Sequence, residues 1–227
     1  MAKKFSIAID GPGGAGKSTA AKAVAEALGA LYLDTGAMYR AMGLYMLKNE
    51  VNLRDGRAVA ALAGGACIDI RYEGGNQRMI LCGEDVTDRI RRPEVSSAAS
   101  MVSRVPAVRR RMVGMQQAIA AECAVVMDGR DIGTRVLPDA TLKVYLTADV
   151  EERARRRYEE LRAKSITFDQ VLSELVERDN ADLNRSVAPL RKADDAVEID
   201  TTHISLDQVV ERIVELARAK IAEVGDA

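Results

Sequence analysis

The sequence has few histidines, which serve as bases and metal ligands, and few aromatic residues, which serve as stacking platforms. Histidine occurs once, at His203, tryptophan is absent, and aromatic residues make up 4% of the 227 residues. A single histidine excludes any metal centre built from several histidines, and its predicted position in a loop disfavours Ser-His-Asp and Cys-His catalysis. Scarce aromatic rings also disfavour an ATPase that binds nucleic acid, because such proteins stack bases on aromatic side chains.

Cysteine, net charge and long apolar runs are scarce as well. The cysteines Cys67, Cys82 and Cys123 form neither a C-x-x-C motif nor a disulfide framework, so we expect reduced thiols used for packing and a cytoplasmic setting. The formal net charge of −1 disfavours a surface that binds nucleic acid or membranes, so any anion site must be local. No apolar run approaches the roughly 18 residues of a membrane span. The first residues run directly into a predicted strand, which predicts no signal peptide.

A glycine-rich loop is the most informative stretch that the sequence does contain. Residues Gly11–Ser18 read Gly-Pro-Gly-Gly-Ala-Gly-Lys-Ser and match G-x-x-x-x-G-K-S/T between a predicted strand and a predicted helix. The glycines let successive N–H groups point at phosphate oxygens, Lys17 can reach the β- and γ-phosphates, and the Ser18 hydroxyl can hold Mg²⁺. The predicted ATP-binding residues are Gly11, Pro12, Gly13, Gly14, Ala15, Gly16, Lys17, Ser18 and Thr19.

The hydrophobic pattern predicts an α/β fold. Five short apolar strands alternate with helices, which favours a parallel sheet covered on both faces with ligands at the carboxyl ends of its strands. The predicted strands span residues 5–10, 31–33, 124–127, 141–146 and 196–199. Residues 52–88 break this alternation, because two alternating segments flank the turn Gly74-Gly75-Asn76. We therefore predict an antiparallel hairpin subdomain inserted into the parallel fold.

Charged residues cluster directly after several of these strands. Arg40 follows the second strand, and the segment Asp128–Gly133 follows the third. Asp128 can act either as a structural cap or as an acid that orients the waters of Mg²⁺. The spacing of Arg178, Asp182 and Arg185 predicts one helical face, either as a solvated ion pair or as a ligand for a sugar and its phosphate.

An arginine-rich helix is predicted from Asp149 to about Ala163, with Glu152 closing a capping box on Asp149. Such a charge run is usually a solvated face, but its place after the fourth strand also suits a lid over phosphates. A lid matters to a kinase because water must be kept from the transferring phosphoryl group.

The paired arginines favour an acceptor that is already an anion. A phosphomonoester is mostly dianionic at pH 7, so its oxygen attacks without needing a histidine base. A kinase acting on an alcohol such as shikimate would call for a base to remove the hydroxyl proton. A P-loop switch is disfavoured because the chain has no N-K-x-D guanine signature.

Taken together, the motifs resemble those of bacterial cytidylate kinases. They are the P-loop, D-T-G-A-M-Y-R, A-A-S before a basic helix, D-G-R-D-I-G-T, and R-D-x-x-D-x-x-R before V-A-P-L, in the family's order from about Ile7 to Thr202. The resemblance implies an adenylate-kinase-like five-stranded core within a single P-loop kinase domain spanning residues 1–227. It divides that domain into a core (1–34, 106–148 and 186–227), a monophosphate-binding region (35–105) with its insert at about 52–88, and a lid at about 149–165.

The resemblance also implies phosphoryl transfer from ATP to CMP or dCMP with Mg²⁺, in a cytoplasmic monomer without nucleic-acid or membrane partners. Transfer to another nucleoside monophosphate such as UMP is the alternative. The implied CMP-binding residues are Thr35, Tyr39, Arg40, Ser100, Arg109, Arg130, Asp131, Arg178, Asp182 and Arg185. The implied catalytic residues are Lys17, Arg130, Arg153 and Arg157, and Ser18 is the implied metal ligand.

Overall fold

A computed structural model describes residues 4–161 and 166–223. The helices are α1 (Lys17–Leu28), α2 (Thr35–Lys48), α3 (Gly56–Leu62), α4 (Pro93–Val102), α5 (Pro106–Glu122), α6 (Val150–Glu160), α7 (Phe168–Leu183) and α8 (Leu206–Glu223). The strands are β1 (Ser6–Asp10), β2 (Leu31–Asp34), β3 (Ile68–Glu73), β4 (Asn76–Leu81), β5 (Glu84–Asp85), β6 (Val125–Gly129), β7 (Leu142–Thr147) and β8 (Val197–Asp200). Among these described residues, no helix is long and apolar enough to cross a membrane.

The chain forms two compact units. The first contains the residues up to Tyr32 and those from Glu122 onward, and the second contains Leu33–Ala121. The division separates the P-loop and the arginine-rich helix in the first unit from the inserted hairpin in the second. Each unit is described by its own contacts below.

A five-stranded sheet in the order β2-β6-β1-β7-β8 carries the P-loop, which confirms the predicted α/β fold class. Strand β1 pairs in parallel with β6 and β7, and β7 pairs in parallel with β8. The register sets Asp10 opposite Gly129 and Tyr145, so these strands end together at one edge. The loop that follows Asp10 therefore begins at the carboxyl edge, where the sequence predicts ligands.

Small residues let the helices pack closely on this sheet. Helix α1 buries Ala20, Ala21 and Val24 completely, in one apolar cluster with Ile213 and Ala217 of α8. Strand β1 contributes a fully buried run to the same layer, since a parallel strand is covered on both faces. This packing makes the strand before the P-loop and the helix after it a rigid frame.

Local capping signals are confirmed at three helix ends. Gly29 ends α1 with φ 63°, the left-handed conformation that favours glycine. Thr167 and Gln170 form the predicted reciprocal capping box of α7. Ser205 and Gln208 exchange the same two hydrogen bonds at the start of α8, at 2.9 and 3.2 Å.

The predicted capping box of α6 is wrong. Asp149 precedes the helix, but its side chain caps no N–H group. Glu152 instead accepts a hydrogen bond from Arg156 Nε at 3.0 Å and also pairs with Arg155. Charged partners one turn away bind a carboxylate more strongly than a neutral backbone N–H does, so they outcompete the cap.

Helix α6 ends at Glu160, before the predicted end at about Ala163. Arg162 and Ala163 lie outside the described residues, as does part of the lid predicted for residues 149–165. The lid boundary therefore stays a prediction.

The predicted antiparallel hairpin is confirmed, with one more strand than the sequence predicts. Strand β3 pairs with β4 across the turn Gly74-Gly75, where φ is 56° and 75°. Two successive positive φ values are those of a type I′ turn, which matches the twist of a hairpin. A second turn at Cys82-Gly83, with φ 50° and 87°, leads into the short β5. This turn was missed because Cys82 is not a residue type that indicates positive φ.

The cysteines depart from their predicted role. Cys67 and Cys82 are exposed at the base of the hairpin, and Cys123 is partly buried. None of the three forms a disulfide, as expected, but the packing role predicted for Cys67 and Cys82 is wrong. Both residues lie just outside the paired strands, where no core covers them.

Helix α5 belongs to the second unit. The family resemblance instead assigns residues 106–148 to the core. The buried face of α5 includes Arg109, Met112 and Gln116. Gln116 Nε2 lies 3.8 Å from the sulfur of Met38 on α2, and the guanidinium of Arg109 lies over the ring of Tyr39. These contacts across 70 and more residues hold α5 against α2, and local sequence spacing carries no signal of them.

Gly43 of α2 packs closely against α4, and a second helical glycine provides a matched test of this packing. A Cβ at Gly43 would lie 2.8 Å from Ala99 N, whereas nothing lies within 4 Å of a Cβ at Gly114 on α5. We expect Gly43→Ala to destabilise the protein by about 1–3 kcal/mol through overpacking. Gly114→Ala should stabilise it by up to about 1 kcal/mol, because alanine loses less entropy in a helix. Thermal unfolding of both variants checks the two signs; equal shifts would contradict the close helix contact.

Candidate active site

The P-loop follows β1 directly and ends in α1. Gly14 and Gly16 have φ 78° and 79°, so both lie in the left-handed region that favours glycine. Gly16 is the N-cap of α1 and has no side chain to occupy the first N–H groups of the helix. Those groups and the positive end of the helix are therefore available to an anion.

Position 11 of the loop requires glycine because no side chain fits there. A Cβ at Gly11 would lie 2.0 Å from the carbonyl oxygen of Leu146 on the neighbouring strand β7. The loop thus leaves the sheet in contact with backbone, and only a residue without a side chain fits there.

Lys17 is buried at the base of this loop, and its Nζ donates a hydrogen bond to the carbonyl oxygen of Pro12 at 2.6 Å. Burial lowers the pKa of Lys17 well below its ordinary value. The nearby guanidinium groups of Arg130 and Arg178 lower it further, while the carboxylate of Asp128 opposes them. Lys17 and two of the predicted acceptor arginines therefore share one electrostatic environment, which an incoming phosphate would stabilise.

Ser18 and Asp128 are joined at the carboxyl edge of the sheet. Ser18 Oγ donates to Asp128 Oδ2 at 2.7 Å, and the hydroxyl of Tyr32 donates to Oδ1 at 3.0 Å. Of the two interpretations of Asp128, this contact with the P-loop serine favours the one that orients Mg²⁺.

The oxygen donors at this place fit Mg²⁺. The described residues contain no group of three or more His, Cys, Asp or Glu side chains that could hold a metal alone. Mg²⁺ commonly takes only one or two protein oxygens and completes its shell with phosphate and water. A hydroxyl and a carboxylate 2.7 Å apart beside a phosphate loop meet that description.

A compact group of alternating charges lies beside the loop in the same unit. Arg130 Nε donates to Asp182 Oδ2 at 3.0 Å, and Arg185 lies 3.9 Å from Asp182 and 3.7 Å from Asp131. Burial alone would raise the pKa of Asp182, but Arg130, Arg178 and Arg185 outweigh it and hold that pKa below its ordinary value. The carboxylate is therefore ionised and lies among guanidinium groups that can bind phosphate.

The predicted helical face through Arg178, Asp182 and Arg185 is wrong in its geometry. Helix α7 ends at Leu183, so Arg185 lies beyond it. The side chain of Arg185 nevertheless turns back, and its Nε donates to the carbonyl oxygen of Ala188, which has φ 48°. A tight turn, and not helical spacing, brings Arg185 to Asp182, while Arg178 on the helix stays exposed.

Two predicted acceptor residues of the second unit, Tyr39 and Arg40, are positioned by α2. Asp34 caps this helix by accepting the N–H of Ala37 at 2.7 Å, and its other oxygen accepts from Arg40 Nη2 at 2.7 Å. The guanidinium carbon of Arg109 lies 5.8 Å from the centre of the Tyr39 ring, within the range of a cation–π contact.

The other predicted acceptor residues of the second unit lie on α2, α4 and α5. Thr35 is buried in the first turn of α2. Ser100 is partly buried on α4, where its carbonyl oxygen accepts from Ser103 Oγ at 2.9 Å. Arg109 Nη1 donates to the Ser103 carbonyl at 3.4 Å, which ties α5 to the end of α4.

Comparison with known proteins identifies the family. The family model described as cytidylate kinase matches residues 7–219. The chain belongs to the cytidylate kinase family. A cytidylate kinase of Caldicellulosiruptor bescii is 50% identical over 94% of this chain and 96% of its own length. One of Listeria monocytogenes is 50% identical over 97% of this chain and 99% of its own.

A solved structure supports the fold at much lower sequence identity. An uncharacterized protein of Eubacterium ventriosum superposes with a TM-score of 0.53 at 14% identity, covering 96% of this chain and 99% of that one. At this identity the likeness concerns the fold alone.

The two lid arginines expected of a cytidylate kinase differ in their surroundings. Arg153 is buried and donates to the carbonyl oxygens of Ala148 and Gly13. Arg157 is exposed and pairs with Glu160 at 2.8 Å. Their contact with a transferring phosphate stays a prediction.

Asp10 is a residue of this site that sequence reasoning missed. Its carboxylate accepts the N–H groups of Ile132 and Gly133 at 2.8 and 2.7 Å, so it anchors the loop that carries Arg130 and Asp131. Burial raises the pKa of Asp10 to about 6, although the two backbone hydrogen bonds lower it. Its position at the end of a buried strand, directly before the P-loop, was the available signal.

Gly11 and Gly13 of the P-loop have different surroundings, and substituting each by alanine provides a test. Gly11→Ala should weaken ATP binding by more than about 10-fold, because its Cβ would overlap a backbone oxygen of β7. Gly13→Ala should bind ATP within about 3-fold of the parent, because its Cβ would meet Leu175 Cδ2 at an ordinary 3.5 Å. Calorimetric titration with ATP checks both; similar losses would show that the clash at position 11 is not what matters.

Asp10 provides a test by pH. Since its pKa is higher in the folded protein than the ordinary 3.8, its proton stabilises the folded state, and this stabilisation is lost as pH rises through about 6. Lowering the pH from 7 to 5 should therefore stabilise the parent by roughly 1 kcal/mol relative to Asp10→Asn, whose side chain does not titrate. Urea unfolding at pH 5, 6 and 7 measures the difference; a constant difference would contradict the raised pKa.

Proposed function

We propose that the protein transfers a phosphoryl group from ATP to CMP or dCMP, giving ADP and CDP or dCDP. The observation that carries the proposal is that the buried P-loop lysine shares its surroundings with Arg130 and Arg178. Several cations gathered beside one phosphate loop suit two phosphates that meet there. Membership of the cytidylate kinase family supports CMP as the acceptor.

The donor end consists of the P-loop, Lys17 and the pair Ser18–Asp128. The loop N–H groups and the start of α1 bind the phosphates of ATP, and Lys17 exchanges the Pro12 carbonyl for a phosphate oxygen. Ser18 and, through its carboxylate, Asp128 are the residues that would hold Mg²⁺. When bound, the ion supplies neutralisation of the negative charge on the β- and γ-phosphates.

The acceptor end is assigned to the arginines and to Asp182. Arg40, Arg130, Arg178 and Arg185 bind the CMP phosphate, for which the planar guanidinium offers two parallel hydrogen bonds. Asp182 accepts a hydrogen bond from a ribose hydroxyl, since its pKa keeps it ionised. Ser100, Arg109 and Asp131 read the cytosine, and Thr35 and Tyr39 line the same site.

The transfer itself needs positioning and charge neutralisation. Because the CMP phosphate is already an anion at pH 7, no side chain has to remove a proton before it attacks. Lys17 and Arg130 stabilise the charge on the transferring group, and Arg157 reaches it from α6. We place the reaction in the cytoplasm, where thiols such as those of the unpaired Cys67 and Cys82 stay reduced.

A substrate panel tests the proposal. The purified protein with ATP and Mg²⁺ is offered CMP, dCMP, UMP, AMP or shikimate, and the release of ADP is followed. CMP and dCMP should give the highest kcat/KM, because Asp131 and Arg109 present both an acceptor and donors to the cytosine edge. Faster turnover of UMP or AMP would refute the cytosine assignment, and release of ADP that no monophosphate stimulates would refute the kinase.

One variant separates the two ends in the same assay. Arg185→Met should lower kcat/KM for CMP by about 100-fold or more with little change in ATP affinity, because a charged hydrogen-bonding partner of the acceptor is removed. An equal loss for both substrates would place Arg185 elsewhere.

A further inference from the structure

Arg153 is the one arginine of α6 whose guanidinium reaches the P-loop within the described residues. Its Nε donates to the carbonyl oxygen of Ala148 at 2.8 Å, and its Nη1 donates to that of Gly13 at 3.0 Å. The same Nη1 donates to Asp179 Oδ2 on α7 at 2.7 Å. The side chain is only 7% exposed, so these three acceptors hold it in place of water.

The contact with Gly13 fixes the orientation of a peptide in the phosphate loop. A trans peptide directs its C=O and the following N–H to opposite sides. Because the Gly13 carbonyl points at Arg153, the N–H of Gly14 points away from α6. Gly14 also packs closely there, since a Cβ at this position would lie 3.1 Å from Arg153 Cβ. Arg153 thus supports the loop from behind.

Asp179 is the residue that holds Arg153 in this position. A buried guanidinium requires a nearby negative charge, and Asp179 is the carboxylate paired with it. The second oxygen, Oδ1, is buried and accepts no hydrogen bond within the described residues. One oxygen of the carboxylate therefore binds Arg153, while the other is buried without a hydrogen bond from the described residues.

The turn of helix α7 that carries Asp179 also packs against Gly13 of the P-loop. A Cβ at Gly13 would lie 3.5 Å from Leu175 Cδ2 and 3.9 Å from Arg178 Cδ. Asp179 adjoins Arg178, which the proposed function assigns to the CMP phosphate. The carboxylate that holds the donor loop and the guanidinium that binds the acceptor are thus neighbours on one helix.

We propose that Asp179 is a positioning residue for ATP, which through Arg153 fixes the Gly13–Gly14 peptide in the orientation that binds phosphate. Arg153, which the family resemblance counts among the catalytic residues, then supports the P-loop and does not contact the transferring phosphoryl group, and Arg157 is the predicted lid arginine that reaches that group. The inference rests on the proposed use of ATP and assigns a role to the second residue of the motif R-D-x-x-D-x-x-R, to which the sequence alone gives none.

A double-mutant cycle on ATP affinity tests the proposal. Asp179→Asn, Arg153→Lys and the double variant are titrated with ATP and Mg²⁺ by calorimetry, and kcat and both KM values are measured. Asparagine keeps the size of Asp179 without its charge, and lysine keeps the charge of Arg153 without its fork. Each single variant should raise the Kd for ATP by about 10-fold, and the double variant should be no weaker than the weaker single one. The KM for CMP should change less than about 3-fold.

A conservative variant and a charge control exclude a merely structural role. Asp179→Glu should recover most of the ATP affinity, because the carboxylate is retained. Glu177→Gln removes one negative charge from an exposed position of the same helix and should leave the Kd within about 2-fold. Thermal unfolding of every variant shows whether loss of ATP affinity follows loss of stability; if affinity follows stability alone, the positioning role is refuted.

Two further results would overturn the proposal. Tighter ATP binding by Asp179→Asn would mean that the carboxylate withholds Arg153 from the phosphates. Additive losses in the double variant would mean that Asp179 does not act through Arg153. Failure of the proposed function gives a different result. If the variants show the expected ATP affinities but the protein phosphorylates no monophosphate, the proposed function fails and the positioning role of Asp179 stands.

Discussion

Like charges that gather around an anion site must be held together before the anion arrives, and this constraint governs the P-loop unit. Lys17 is buried near Arg130 and Arg178, which lowers its pKa. Carboxylates interleave with these cations, with Asp128 near the lysine and Asp182 against Arg130 and Arg185. The charges are preorganised in this way, so a phosphate that enters meets donors that need little rearrangement.

Three carboxylates of this unit also hold other residues in position. Asp10 anchors the loop after β6, Asp128 holds the P-loop serine, and Asp179 holds Arg153 against the Gly13 carbonyl. These contacts join the P-loop and the loop after β6 to elements far apart in the chain. At Asp10 and Asp128 a short carboxylate side chain suffices, because the parallel strands that carry them end at the same edge of the sheet. The arrangement explains why a fold with one histidine can still support group transfer.

Local patterns predicted much of this molecule, and their failures have a common cause. The P-loop, the alternation of strands with helices, the hairpin and the capping box of Thr167 all depend on residues close together in the chain. The wrong capping box at Asp149 and the wrong helical face at Arg185 arose where a more distant or stronger partner was available. Asp10 and Asp179 were missed because their partners lie 122 and 26 residues away in the chain.

The sequence by itself determined that a phosphate loop lies between a buried strand and a helix, because glycine spacing and apolar periodicity are local properties of the backbone. It also determined the family, since the order of short motifs is a property of the chain. Only the tertiary structure decided which charges meet. Arg153 lies behind the loop and not in solvent because Gly13 and Asp179 converge on it from separate elements. That convergence is set by packing, which no local pattern records.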